Sequence, residues 1–346
     1  MKKVIFCAAA LIFGTTMYAQ SNESYVEQVS GGGSAGNTAN ITQTGVDNYS
    51  NSFQNGWNNT TTVNQQGKDH SSDIEVGGTN GFTGNMVKVT QKGKDNMSSV
   101  DISGNGNDVN VSQSGTANNN NNRGEISAVS GPGFNNGEDV VDIIGDDNEV
   151  DLDQHNAFAD ARFKVQGDKN YAKTDQTNSF AGIANVYQNG DNNESYITQN
   201  GANNAAYTDQ VGNWNDSRVL QIGGSPSVNN TAVTSQTGDY NDSRVRQEGI
   251  NNKAFATQTG VNNYSNVKQT GDAPSGAVTN NVAETYQHGY GAGNSSKITQ
   301  TGILNFAKTT QSGSNMSTVI QTGESHSSTV MQSGVGNATT VIQSDM

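Results

Sequence analysis

The sequence predicts an all-β protein: a β-solenoid whose two-strand rungs, 22 residues each, stack in parallel as two facing sheets. Three observations carry the prediction. Glutamine recurs at a fixed eleven-residue step, the residues between glutamines alternate with a period of two, and the composition is too polar for a conventional large core. Hydrophobic residues make up 31% of the 346 residues and charged ones 14%, with 41 Gly and only 3 Pro. A chain this poor in apolar side chains stays disordered unless its polar groups pack on one another regularly, and strict repetition is what supplies that regularity.

The first element is a leader. Residues 1–20, "MKKVIFCAAALIFGTTMYAQ", combine two lysines, an apolar run and a small-residue end. This reads as a secretory signal peptide cleaved near Ala19 or Gln20. Its apolar run is too short for a permanent span, and no other stretch is apolar enough to cross a membrane. Cys7, the only cysteine, lies inside it. The mature chain is therefore expected to have no disulfide and no thiol nucleophile. The net charge of −14 argues against a nucleic-acid partner and favours solubility during export.

Residues 21–346 are read as the solenoid. The anchors fall at Gln43, Gln54 and Gln65, then Gln188, Gln199, Gln210 and Gln221, then Gln236, Gln247, Gln258 and Gln269, and finally Gln300, Gln311, Gln321, Gln332 and Gln343. Counting back from each anchor, Asn stands at minus six, a small residue at minus four and a β-branched residue at minus two. The Asn set includes Asn48, Asn59, Asn193, Asn204, Asn215, Asn241, Asn252 and Asn263. There are 27 such repeats, from "NESYVEQ" at Asn22 to "NATTVIQ" at Gln343, with Gln at the anchor in 22 of them. Val76, Ile102, Val129, Ile143 and Val165 replace it, which makes residues 76–165 a degenerate middle. The repeat leaves no room for a separate catalytic domain.

Each repeat is one strand and one turn. Asn, Ala/Ser, Val/Ile/Thr and Gln share one parity, which is a strand with one buried face; Tyr, Asp, Arg, Lys and Thr take the other. The Gly two residues after each anchor supplies the positive φ for a tight reversal, and the neighbouring Asn and Asp are turn formers. Stacked rungs bring identical amides into register, each donating to one copy and accepting from another. Roughly thirteen rungs would make a rod of roughly 60 Å at the inter-strand spacing. Extra residues follow Gln28, Val76, Val129, Gln176, Gln221 and Gln269, so inserted loops such as "GGSPSV" and "GDAPSGAV" recur on one edge every second rung. They fit either a duplicated four-strand block with one tolerated loop or a functional row. Further irregularities are an insertion in "GTANNNNNRGE", a short one near "HGYGAGN" and a one-residue deletion before Gln321.

Units such as "NNAAYTDQVGNWNDSRVLQ", "NKAFATQTGVNNYSNVKQTG" and "NFAKTTQSGSNMSTVIQTG" make the mature chain similar to the curlin repeat of bacterial curli fibres. The resemblance implies a subunit that crosses the outer membrane unfolded through a dedicated pore. It then folds on a fibre end as a β-solenoid and contributes to an extracellular matrix used for adhesion and surface colonisation. It also implies a major and a nucleating minor subunit, and the sequence does not say which this is. Three departures stand out: more repeats than the family's usual five or so, the degenerate middle, and the absence of the family's N-terminal targeting segment.

A solenoid with no capping element offers an end strand as a template for another copy, and none is recognisable beside Asn22 or after Gln343. The expected function is thus self-assembly into a cell-surface fibre, with the chain itself, a nucleator and a secretion pore as partners. The odd count of strands implies a staggered joint. The alternatives are a monomeric solenoid adhesin or ligand-binding rod, and an enzyme on a parallel β-helix. A rod of that kind wants a regular outward Thr row, which is missing, and an enzyme wants an irregular cluster of carboxylates and cations. No catalytic residue, cofactor or metal is expected. His70 and His326 occupy the minus-six position as ladder substitutes. Glu149, Asp151 and Asp153 face outward, as a solvated face or a calcium site. "SGNGNDVNV", 103–111, is a single calcium-type nonapeptide without the tandem copies such sites need. Trp57 and Trp214 in turns, with outward Tyr49, Tyr196, Tyr207 and Tyr264, could stack on sugars or bundle fibres.

Overall fold

The computed structural model describes residues 21–29, 36–77, 82–102, 106–117, 119–125, 138–155, 158–177, 180–223, 229–271, 280–289 and 293–345. The expected leader, Cys7, Val129 and most of the two quoted loops lie outside them. Every described element is a strand, and the chain divides into two compact units, 1–164 and 165–346.

In the first unit the strands are β1 (Glu23–Val29), β2 (Thr38–Val46), β3 (Tyr49–Trp57), β4 (Thr60–Lys68), β5 (Ser71–Val76), the two-residue β6 (Phe82–Thr83), β7 (Met86–Lys94), β8 (Met97–Ile102), β9 (Asp108–Thr116), β10 (Asn119–Glu125), β11 (Glu138–Ile144) and β12 (Glu149–His155). They form two parallel stacks, β1-β3-β5-β8-β10-β12 and β2-β4-β7-β9-β11, each strand paired with the one a full turn away. β13 (Phe158–Gln166) runs across the boundary between the units.

The second unit continues with β14 (Tyr171–Thr177), β15 (Phe180–Asn189), β16 (Glu194–Asn200), β17 (Ala205–Val211), β18 (Asp216–Ile222), β19 (Thr231–Thr237), β20 (Asp242–Glu248), β21 (Lys253–Gly260), β22 (Tyr264–Thr270), β23 (Val282–Gly289), β24 (Ser295–Ile303), β25 (Phe306–Glu324) and β26 (Ser327–Ser344). Even and odd strands again stack separately and in parallel, and Gln188 pairs with Gln210 and Gln199 with Gln221, a 22-residue turn. This is the predicted β-solenoid. β25 and β26 each carry two repeats: Phe306–Ser312 stacks on β23, while Met316–Glu324 stacks on β24. Both strands run through the corner without a break, β25 with the ten-residue step before Gln321 and β26 with the ordinary eleven-residue step.

The core follows from the parity. Along β16 the buried side chains are Ser195, Ile197 and Gln199, and along β20 Ser243, Val245 and Gln247, all at most 2% exposed. Between the amide columns lie only a small and a β-branched column. The core is therefore thin, and each buried aliphatic side chain contributes about 1.5–3 kcal/mol. Ser–Thr hydroxyl pairs join the two sheets, as Ser195–Thr208 at 2.8 Å, Ser217–Thr234 at 2.6 Å and Ser296–Thr309 at 2.7 Å.

Turn geometry is equally repetitive. The Gly two residues after the anchor has φ near that of Gly212, +114°, and the residue seven before the next anchor is left-handed. Asn or Asp usually fills that second position because it tolerates this conformation, as Asp47, Asn192 and Asn262 do. The glycines are also sterically required. A Cβ on Gly212 would come within 2.1 Å of the Gly238 carbonyl oxygen in the next turn.

One sequence expectation is corrected here. The anchor place of the ninth repeat, expected at Val129, falls on Gly124. β10 runs over Asn119–Glu125, and Gly124 pairs with Ile102 on one side and Gln154 on the other. Ala117, left-handed at φ 57°, stands seven residues before Gly124 as the turn rule requires. The step from Gln113 is thus eleven, and the Asn-rich segment is a strand without an insertion. All the extra residues fall after Gly124. The five-Asn run hid the register, because it offers an Asn at minus six in several frames.

Candidate functional site: amide ladders and open edges

The anchor glutamines of the second unit form two chains of side-chain hydrogen bonds. In one, Nε2 of Gln188, Gln210, Gln236, Gln258, Gln287 and Gln311 donates to Oε1 of the next anchor at 2.8–3.1 Å, ending on Gln332. In the other, Gln176, Gln199, Gln221, Gln247, Gln269, Gln300 and Gln321 do the same at 2.8–2.9 Å, ending on Gln343. The first unit holds shorter runs, Gln28 to Gln54 and Gln43 through Gln65 and Gln91 to Gln113. There Val76 and Ile102, at most 1% exposed, follow Gln54 in register and continue the column with hydrocarbon.

These ladders have a direction. Most of these Nε2 groups also donate to a backbone carbonyl across the turn, as Gln247 to Thr231 at 3.0 Å and Gln188 to Tyr171 at 3.0 Å. A carbonyl only accepts, so the amide cannot flip without losing that bond. Donation therefore always points toward the C-terminal neighbour. Gln188, first in its ladder, has an Oε1 without a partner.

Asparagine ladders run the other way. Oδ1 of Asn193 accepts the backbone N–H of Asn215 at 3.0 Å and its Nδ2 at 3.1 Å, and Asn215 serves Asn241, and Asn241 serves Asn263, in the same manner. Nδ2 also reaches the turn glycine of the next coil, as Asn215 to Gly238 at 2.7 Å. Asn48 and Asn59 stand in equivalent ladders with Asn22 and Asn37. Asn252 takes its place with Asn230 at 2.9 Å. Asn204 is the exception: it bonds its own turn at Gly201, and its Oδ1 has no partner. Gly182, at minus six a coil earlier, has no Oδ1 to accept the Asn204 amide, and the Asn204 Oδ1 does not take up Asn230 a coil later.

Two contacts escape a sequence reading. Asp191, Asn213 and Asp239, just after the turn glycines, each accept the backbone N–H of the equivalent residue one coil before, at 2.8–2.9 Å. The sheet-to-sheet hydroxyl pairs are the other. Only the recurrent Asx after Gly hinted at the first, and local turn chemistry already accounted for it.

His70 replaces Asn in its ladder. Its Nε2 lies 3.2 Å from the Gln66 carbonyl, which makes Nε2 the donor, and Nδ1 accepts the Asn96 N–H at 3.3 Å. Burial holds its pKa below the ordinary imidazole value. Outward charges are paired locally: Asp242 with Arg244 at 2.8 Å, Asp216 with Arg218 at 3.0 Å, and Arg246 with Glu248. Burial raises the Asp242 pKa, against the pull of Arg244. Trp214 stacks on Tyr240 with ring centroids 6.2 Å apart, and Tyr196 packs on Tyr171 at 5.3 Å. Among the described residues no three His, Cys, Asp or Glu side chains converge as metal ligands, and no helix is long and apolar enough to cross a membrane.

The outermost strands are paired on one edge only among the described residues. β1 pairs with β3 and β2 with β4; β26 pairs with β25. Side chains of the inward parity become accessible there, including Gln43 and Gln343. Residues 83–115, 184–207 and 228–260 match the family described as the Curlin associated repeat. No curated protein matches the chain.

Proposed function

We propose, from the premise that this is a curlin-repeat protein, that it is the structural subunit of an extracellular amyloid-like fibre. Residues 1–20 direct export and are removed, and residues 21–346 fold as the fibre-forming solenoid. The observation that carries the proposal is that, among the described residues, β1, β2 and β26 are paired on one side only, beside amide ladders that stop at the same places. A strand edge with unpaired N–H and C=O groups recruits another strand, and identical repeats supply one of matching register. The partner is then another copy, with a nucleating subunit and an outer-membrane pore acting before growth. The fibre serves adhesion and the biofilm matrix, a structural task without catalysis or cofactor.

The test is incubation of the purified protein with thioflavin T, electron microscopy and fibre diffraction. The expected result is unbranched fibres with a meridional reflection near 4.7–4.8 Å. A protein that stays monomeric by sedimentation over days at high concentration overturns the proposal in favour of a solitary adhesin or ligand-binding rod.

A further inference from the structure

We infer that the fibre joint has one polarity and one register: β1 of a second copy lies on Ser327–Ser333 of β26 and its β2 on Ala338–Ser344. This rests on the self-assembly reading above and adds to it which residues meet. Gln28 comes over Gln332, Gln43 over Gln343, Asn37 over Asn337, and Asn22 over His326.

The register follows from the path of the coil. Ser327–Ser333 lies on Phe306–Ser312, and Ala338–Ser344 lies on Met316–Thr322. The next strand along the same path belongs on Ser327–Ser333, and the one after it on Ala338–Ser344. Among the described residues β1 and β2 are the consecutive pair with an unpaired edge on the other side.

Polarity follows from the ladders. At the β26 end the glutamines present Nε2: that of Gln343 donates to the Ser327 carbonyl at 3.0 Å and keeps its second hydrogen, while that of Gln332 donates to the Met316 carbonyl at 2.9 Å and to Thr339 Oγ1 at 3.0 Å, the second bond being the one exchanged in the joint. At the β1–β2 end Gln28 and Gln43 donate inward and present Oε1. The asparagine ladders supply the converse, with Asn337 Oδ1 outward at one end and the backbone N–H of Asn22 and Asn37 at the other. Joined head to tail, every donor meets an acceptor. Two like ends would set donor against donor and acceptor against acceptor, which is selection against the wrong partner.

His326 gives the joint a signature. Its backbone N–H donates to Asn305 Oδ1 at 3.0 Å and its Nε2 lies 2.9 Å from the Thr322 carbonyl. This is the arrangement of His70, so Nδ1 of His326 is the acceptor for whatever stacks above it. In the joint that is the Asn22 N–H, as Asn96 is for His70. Asp345 lies 3.3 Å from Nε2 on the other side of the ring, which leaves Nδ1 as the acceptor.

The experiment is seeded elongation of the purified protein, of His326→Asn and of His326→Leu, with circular dichroism of each monomer. Asn preserves the ladder acceptor and Leu removes it. Wild type and His326→Asn are expected to elongate alike, and His326→Leu about tenfold more slowly, the factor for one lost buried hydrogen bond. Equal elongation rates for all three overturn the joint and leave self-assembly standing. Absence of fibres from all three overturns both.

Discussion

Gln210 donates one amide hydrogen to Gln236 in the next coil at 2.9 Å and holds the Asn215 carbonyl at 2.9 Å with the other. It also accepts from Gln188 in the coil before, so a single side chain ties three coils together and its removal should be felt on both sides. Gln236→Ala leaves the Gln210 donor and the Gln258 contact unmade in a fully buried column. It is expected to cost about 2–5 kcal/mol. Gln343→Ala, half-exposed at the edge, should cost under about 1 kcal/mol. Urea unfolding of freshly prepared monomer, followed by circular dichroism, compares the two.

Turn glycines should divide by what surrounds them. Gly212→Ala forces a Cβ to within 2.1 Å of the Gly238 oxygen at φ +114° and should destabilise by about 2 kcal/mol or more. Gly336 has φ +77° and nothing within 4 Å. Gly336→Asn should be neutral, or stabilising by about 0.5 kcal/mol through the unfolded chain. The melting temperatures should separate in that order.

The unpaired hydroxyl of Ser72 allows a gain-of-contact test. Ser195 and Ser217 bond the Thr two residues before the following anchor. For Ser72 that position is Val89. Val89→Thr supplies the missing partner at constant shape and should leave stability unchanged or raise it by about 1 kcal/mol. Val87→Thr lies outside that pairing, between Thr61 and Val109 in its own column, and should lose about 1–3 kcal/mol. A result in which both lose equally denies the cross-sheet pairing rule.

His70 sets an acid limit on the first unit. Its folded pKa is lowered by burial, so the neutral form is the one that folds. Its stability contribution is complete above the unfolded value, near 6.5, and is lost as pH falls below it toward the folded pKa. His70→Asn should unfold at the same denaturant concentration as wild type at about pH 8 and at a higher one at about pH 5. Equal acid sensitivity in the two proteins removes His70 from the account.

Strand parity, turn position and the eleven-residue step were legible because each repeat restates them locally. Gln236 reads as an inward anchor from its own neighbours, and Asp242 as an outward residue beside Asn241. The five-Asn run at 118–122 was not legible, since a homopolymer satisfies the pattern in several frames and only pairing with Ile102 and Gln154 selects Gly124. Nor could Asn204 be told from Asn215, because the glycine at the matching place a coil earlier removes the acceptor for its amide, and its Oδ1 is left without a partner on the other side.

The sequence by itself determined the solenoid class, the rung length and the inward column of amides, since a period-two pattern with one polar anchor has few other ways to bury itself. The tertiary structure decided the direction of the ladders. Which way an amide points depends on the carbonyl its second hydrogen finds across the turn, and residues such as Gln247 and Thr231 meet only when the coil closes.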